Sequence, residues 1–540
     1  MLPTSSRLPA QPALIDRLQA GYRSLLLRLL LAALSGLMLC VPWLNNQLFW
    51  SGWLGWVPLL CALRGAGPGM GLLLGWVAGT LCFAGGSYWL AQFMINLKQV
   101  NPGLSLVLAA LFWSYLGLTL GLTSMLYRWL VRRLGGWELL AFPLSLVVVM
   151  AFYPMLFKTH FADGQVQFLP ALQAVEWTGA AGLDAVMALF AVLLYRMLTR
   201  DGPRSAMANR IAWIALLLWL GYGVISLQDW DRRMHDWETL RIGLVQPNDP
   251  ITLDIPPPAP GFTREFPQEM EATRRLIEAG AQWVAWPEAR YKGYFDTYSV
   301  RQAYAREVSR RGVPLIFHDV ERQWQGSERI SYNTVALLDA EGELAARYRK
   351  MLRMPFGEYL PPPWSWSWLR PINDRVFGEF LRPLGAGEAH VEFPAAGMRV
   401  MPMVCYEAAF ADFVAAAVGA DGAGKMLLFL SQDNWFGEST QPRHHANMSI
   451  LRAVENRLPM AHLINNGPSV VAAPHGRILG EGQAFNADEL LVRVPFDAAS
   501  GGSFFSRHPR LFIHGATCLL GLLILGALWR SRSQTASPAL

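Results

Sequence analysis

Met398-Arg399-Val400-Met401-Pro402-Met403-Val404-Cys405-Tyr406-Glu407 carries a strand-like apolar run into a thiol, a phenol and a carboxylate. Of the five cysteines, Cys40, Cys61, Cys82 and Cys518 lie in long apolar runs; Cys405 alone lies in the large polar segment. A single thiol at a strand end, with a carboxylate two residues on, is a candidate nucleophile. The competing reading is a buried free cysteine serving as a small hydrophobe. One cysteine cannot form an internal disulfide, so this segment leaves the redox compartment open.

Working outward, the 540 residues are 53% hydrophobic and only 16% charged, with mean hydropathy +0.23. Soluble domains carry about 25% charged residues, so the composition points to a membrane protein with one soluble part. The net charge of +6 suits basic loops that anchor spans. No basic stripe interleaved with aromatics marks the soluble part, which argues against a nucleic-acid partner.

A membrane-spanning helix needs about 20 mostly apolar residues. Seven candidates precede residue 230, at 24–44, 47–63, 70–93, 103–127, 137–157, 177–198 and 210–228, and an eighth runs over 511–529. The second is short and contains Gly and Pro. The first is too long for a cleavable leader and is followed by more spans. With a cytoplasmic N-terminus, the inside segments hold Arg7, Arg17, Arg23, Arg64, Arg128, Arg132, Arg133, Arg196, Arg200, Arg204, Arg210, Arg530 and Arg532, whereas the outside loops hold Lys98 and Lys158. This asymmetry places the polar segment outside the cytoplasm. The expected layout is a cytoplasmic segment at 1–23, a membrane domain at 24–229, an extracytoplasmic domain at 230–508, a C-terminal transmembrane helix at 509–530 and a cytoplasmic tail at 531–540.

Within the polar segment, strands are expected at 241–246, 282–286, 313–317 and 334–339, with helices at 263–280 and 298–312 that end at Gly280 and Gly312. The alternation predicts an α/β layered domain. Residues 361–390, rich in Pro and Trp, read as a long irregular loop. Glu288 in WPEA, Lys350 in YRKMLRMPFGEY and Cys405 in VCYE follow strands or open loops, where α/β folds put reactive groups. A carboxylate can take the thiol proton, and an ammonium can stabilise a thiolate and then an oxyanion. Singly, Glu288 also reads as a solvated turn residue, and Lys350 as part of a solvated or headgroup-facing basic run.

Together, WPE, Lys followed by PFGEY, CYE and DNWFGES resemble the nitrilase (carbon-nitrogen hydrolase) superfamily. Seven spans, such a domain and one more span, with VEWTGAAGL at 175–183, RIGLVQPN at 241–248 and QPRHHANMSILRAVENRLPMAHLINNGPSVV at 441–471, resemble its membrane-embedded branch, the apolipoprotein N-acyltransferases. The resemblance implies an α-β-β-α sandwich on the outer face of a bacterial inner membrane and ping-pong acyl transfer. Cys405 would attack the sn-1 ester of a phospholipid, typically phosphatidylethanolamine, Glu288 would be the general base and Lys350 would stabilise the oxyanion. The resulting thioester would acylate the α-amine of a diacylated apolipoprotein. Glu358, Glu407, Tyr406 and Asn333 match positions that support the family's site. The expected partners are the two lipid substrates and the bilayer, with no cofactor and a monomeric chain.

The chain departs from the family's habit at Ala289-Arg290, and at Leu352-Arg353, which are swapped. These changes leave acyl-donor and acceptor preference open, and a membrane-tethered amidase or an acyltransferase with another acceptor stays possible. His444-His445 are adjacent and cannot face one metal ion as an i, i+4 pair does, so no metal is expected. Trp364, Trp366 and Trp368 fit an interfacial anchor or a substrate lid. Asp184 in the sixth span is an intramembrane acid, functional by default unless it lies near the span's end.

Overall fold

Glycine spacing decides how the apolar helices pack. In the computed structural model, which describes residues 25–199, 206–250, 257–288, 291–362, 364–369, 371–372 and 384–535, helix α1 spans Leu25–Leu44, α2 Trp50–Leu63 (with a break at Gly55), α3 Pro68–Gly86, α4 Leu90–Lys98, α5 Pro102–Leu134, α6 Glu138–Phe152, α7 Ala180–Thr199 and α8 Ala206–His235. Gly71, Gly75 and Gly79 recur every fourth residue on α3, so they share one face. A methyl group at Gly75 would lie 2.2 Å from the Leu120 carbonyl oxygen of α5, and one at Gly79 would lie 2.6 Å from that of Gly117. Only glycine permits this approach, the usual device where apolar helices meet without a hydrophobic driving force.

Among the described residues, six helices are long and apolar enough to cross a membrane; α2 and α6 are shorter apolar helices. Leu217, Leu218 and Ile225 on α8 and Leu519, Leu522 and Leu525 near the C-terminus are exposed. Such a leucine-rich outer surface belongs against lipid. The apolar run expected at 70–93 breaks after Gly86 and resumes as α4, while that at 137–157 stops at Phe152, just before Pro154. Arg7, Arg17, Arg23, Arg200 and Arg204 lie outside the described residues.

Among the described residues, the polar segment forms twelve strands: β1 Glu238–Gln246, β2 Trp283–Ala285, β3 Leu315–Gln325, β4 Glu328–Leu338, β5 Leu344–Arg349, β6 Phe393–Ala395, β7 Met398–Val404, β8 Lys425–Ser431, β9 Met460–Ile464, β10 Val470–Ala472, β11 Ile478–Glu481 and β12 Asp488–Phe496. They make two six-stranded sheets, ordered β12-β1-β2-β3-β4-β5 and β11-β10-β9-β8-β7-β6. Alternation sets the layers. Ile242, Leu244, Trp283 and Val335 face Val400, Val404, Leu428 and Leu463 between the sheets. Outward, Val284 and Phe317 pack on α9 (Gln268–Glu278) and α10 (Tyr298–Arg311), and Leu427 and Phe429 pack on α11 (Ala411–Val418) and α12 (Gln441–Asn456). This is the expected α-β-β-α sandwich, and it explains why β8 reads as an unbroken apolar run: both faces are buried.

Helix α10 ends, as its sequence signals, with Gly312 in the left-handed region at φ 65°. Helix α9 starts later than expected, at Gln268, because Pro267 caps it in extended backbone. Helix α12 keys the sandwich to the membrane helices. His444 stacks on Trp43, Asn447 exchanges hydrogen bonds with Asn46, and Glu455 accepts the Ala180 amide at 2.8 Å. The final helix, α13, spans Leu511–Thr535.

Candidate active site

Glu288 follows β2, Lys350 follows β5, Cys405 follows β7 and Gln432-Asp433 follow β8, so the ends of strands from both sheets converge. Lys350 Nζ lies 4.0 Å from Glu288 Oε1 and 2.9 Å from Glu358 Oε1. Asn333, on β4, donates through Nδ2 to Glu358 at 2.6 Å and to Glu288 at 3.4 Å. Glu288 also accepts the Gln432 amide at 3.2 Å. The cation therefore sits between two carboxylates, bridged by an amide that fixes their spacing.

Burial pushes the Glu288 carboxyl up to about 7; the carboxylates of Glu358 and Asp433 add to the rise, and Lys350 opposes it. Burial also raises the Cys405 thiol well above its ordinary value, reinforced by Glu288 and opposed by Lys350. Lys350 is buried, which disfavours its charge, but Glu358 and Glu288 more than compensate and hold it protonated. A buried thiol, a carboxyl whose pKa lies near neutrality and a charged ammonium thus influence one another electrostatically. General bases work best with such a pKa.

Cys405 has φ +50°, left-handed backbone that costs a non-glycine residue about 1–2 kcal/mol. Two groups hold it there. Glu407, fully buried, accepts the Val404 amide at 2.7 Å through one oxygen. Through the other it accepts the Tyr348 hydroxyl at 2.8 Å and the amides of Met351 and Leu352 at 2.7 and 3.0 Å. It therefore ties the segment after Lys350 to the strand that delivers Cys405. From α12, His445 contacts the Cys405 carbonyl through Nε2 at 3.0 Å and Asp433 through Nδ1 at 2.9 Å. Burial works against charge on His445, but Asp433 and that carbonyl outweigh it, and its pKa lies above the ordinary histidine value.

All seven residues singled out from the sequence meet at this site. Glu358 accepts the Met354 amide at 2.7 Å as well as its cation, and Tyr406 donates to the Leu156 carbonyl and packs its ring on Phe157. Sequence reasoning missed Asp433, Gln432 and the role of His445. The DNWFGES motif was the available signal for Asp433, but nothing in the spacing of His445 says that it reaches back to Cys405. Cys405, Asp433 and His445 bring one donor atom each within 4.8 Å of one another, a set that could hold a metal. Both ring nitrogens of His445 are engaged within the protein, so the trio reads as a hydrogen-bonded network. Asp184 lies in the first turns of α7, where it binds His160 at 2.7 Å and the Ala162 amide at 2.9 Å, anchoring a loop. Ala289-Arg290 lie outside the described residues. Trp364, Trp366 and Trp368 are exposed, within a loop described only in part.

A cavity opens onto Cys405, a concave site of the kind where ligands bind. Its walls are mainly apolar and come from both parts of the chain: Trp43, Phe83, Trp89 and Leu116 from the apolar helices, and Tyr406 and Phe436 from the sandwich.

Two family models match this chain in series. "Apolipoprotein N-acyltransferase N-terminal domain" covers residues 35–193, and "Carbon-nitrogen hydrolase" covers 241–500. A protein of Geobacter metallireducens named apolipoprotein N-acyltransferase is 27% identical over 92% of this chain and 94% of its own length. One of the same name from Pseudomonas putida is 26% identical over 78% of this chain and 81% of its own. Among solved structures, an amidase from Nesterenkonia sp. aligns at 22% identity and TM-score 0.35, over 50% of this chain and 94% of its own.

Proposed function

We propose, from the premise that this chain belongs to the apolipoprotein N-acyltransferase family, that it moves a fatty acyl chain from a phospholipid to the α-amine of a lipoprotein's N-terminal diacylglyceryl-cysteine. The observation that carries this reading is the apolar cavity leading from the membrane helices to Cys405. A hydrolase of small soluble amides has no use for such a chamber, whereas two lipid-anchored substrates need one that opens towards the bilayer.

In the first half-reaction Glu288 takes the Cys405 proton and the sulfur attacks the sn-1 carbonyl of a phosphatidylethanolamine-type donor. The C–O π bond becomes an oxyanion that Lys350 stabilises. Collapse breaks the ester C–O bond, Glu288 returns its proton to the departing lysophospholipid, and a thioester remains. In the second half-reaction the acceptor's neutral amine attacks the thioester, Glu288 removes the amine proton, and collapse expels the sulfur, which is reprotonated. Glu358 and Asn333 keep Lys350 in line, and Glu407 and Tyr406 hold the backbone and wall around the thiol. No step requires a cofactor. The loop-charge asymmetry supports residues 230–508 on the outer, periplasmic face, with the spans at 24–229 and 509–530; the family reading adds the inner membrane as the location and a single chain as the working unit.

Mass spectrometry of the purified protein after incubation with phospholipid tests the reading. A fatty-acyl mass on Cys405, absent in Cys405→Ser, and release of lysophospholipid are expected. A diacylated lipopeptide should then discharge the adduct into a triacylated product. No adduct and no lysophospholipid would overturn the proposal, and discharge only to free fatty acid would instead indicate a hydrolase.

A further inference from the structure

A second cavity lies where the sandwich meets the end of α6 and the start of α13. Met150, Phe152, Ala181 and Ile513 give it an apolar floor. Its polar lining carries an excess of basic groups, with Lys158, Arg510 and His514 against the single carboxylate of Asp412; the His160 ring is committed to Asp184 at 2.7 Å. Lys158, Thr159 and Ala409 line both this cavity and the chamber that holds Cys405, so the two share a wall.

The cations are undercompensated. Lys158 is half-buried and donates only to the carbonyls of Ala151 and Tyr153, at 3.2 and 3.4 Å; among the described residues no carboxylate pairs with it. Burial holds its pKa below the ordinary lysine value, with the charge of Asp412 pulling the other way. Arg510 spends Nε and Nη2 on one oxygen of Asp412, and its side chain is 70% exposed. A half-buried ammonium and an open guanidinium over an apolar floor, at the ends of lipid-facing helices, suit an anion with an attached hydrocarbon chain. A free phosphate would leave the floor unused.

We propose that this cavity is a phospholipid site, with the phosphodiester held between Lys158 and Arg510 and an acyl chain on the floor formed by α6 and α13. The shared wall makes it a loading site for the donor, separate from the chamber's approach through Trp43, Phe83 and Trp89. The assignment rests on the reading that the chamber takes acyl chains.

Native mass spectrometry of full-length Cys405→Ser protein, which cannot turn over, tests the site directly. The protein is exchanged into detergent containing dioleoyl phosphatidylethanolamine, or dioleoylglycerol as the phosphate-free control. One phospholipid beyond any held in the chamber, not replaced by dioleoylglycerol, is expected. Lys158→Gln and Arg510→Gln should each weaken retention by about tenfold, the usual scale of a charge-assisted hydrogen bond. In the Cys405 background, Arg510→Gln should raise the KM for phospholipid far more than it lowers kcat. Equal retention by variants and parent, or equal retention of dioleoylglycerol, overturns the proposal. If wild-type protein forms no acyl adduct, the acyl-transfer reading fails, and the retention measurement still decides the site.

Discussion

Replacing Glu288 by glutamine probes the chemistry and the electrostatics of the site together. From 4.5 to about 7, at about 1.36 kcal/mol for each pH unit, corresponds to roughly 3 kcal/mol. The sign follows from a carboxyl whose folded pKa is raised. Its stabilising contribution is full below about 4.5 and is lost as pH rises through about 7. Wild-type protein should therefore lose stability between pH 5 and pH 8 through this group, since ionised Glu288 is buried beside Glu358 and Asp433. Glutamine cannot ionise and avoids the loss. Lys350 is not orphaned, because it keeps Glu358 at 2.9 Å. The thermal midpoint of Glu288→Gln should exceed that of wild type by roughly 3–6 °C at pH 8, an upper range that shrinks if the amide leaves a polar atom unpaired, and the gap should close at pH 5. Comparing the two proteins cancels every other titrating group. Over the same pH range, wild-type acylation of Cys405 should rise through a limb near 7, while the variant should be slower by about 10²–10⁴-fold, the usual worth of a general base, with no such limb. A variant that acylates within tenfold of wild type on an unchanged pH profile refutes the assignment of Glu288 as base. An identical pH dependence of the two midpoints refutes the electrostatic reasoning.

Glu407→Ala leaves one hydroxyl and three amides without their acceptor, and at about 1–3 kcal/mol for each buried unpaired group it should lower the thermal midpoint sharply and abolish Cys405 acylation; an unchanged midpoint would remove Glu407 from its bracing role. His445→Ala frees the Cys405 carbonyl and leaves Asp433 buried without its partner, so acylation should slow by about 10–100-fold, with kcat falling more than KM rises. A proportionate rise in KM alone would contradict a role in holding the nucleophile's backbone. Gly75→Leu drives a side chain into the Leu120 carbonyl, and the full-length protein should elute as aggregate in gel filtration; a monodisperse, active variant would contradict the close packing of α3 on α5.

The sandwich and its site were legible to different depths. The inner part of β1 announces itself because both its faces are buried, so a local run of apolar side chains is sufficient signal; β8, buried in the same way, is not among the strands expected. Gly312 marks the end of α10 because only its local backbone conformation is at stake. Glu288 and Cys405 stand out because each follows a strand-like run, whereas Lys350 is picked out by its YRKMLRMPFGEY context and the family resemblance, its strand β5 not being among those expected. The same reasoning mislocated the start of α9 by ignoring Pro267, and it read the 70–93 run as one helix although glycine and serine interrupt it.

By itself the sequence determined an α/β class for the polar segment, the apolar helices and a set of candidate side chains, since periodicity, hydropathy and chemistry are local properties; the two-sheet layering was implied by the family resemblance. Only the tertiary structure decided the rest. Whether Lys350 is a solvated cation or a buried one between two carboxylates depends on residues from β2, β4 and the loop after β5, brought together by strand order. Whether Glu288 ionises near 4 or near 7 depends on how much water the fold removes from it. That Cys405 sits in strained backbone, held by Glu407 and by His445 from a helix forty residues away, depends on packing between layers. Burial and electric field are sums over neighbours distant in the chain, and no local pattern encodes them.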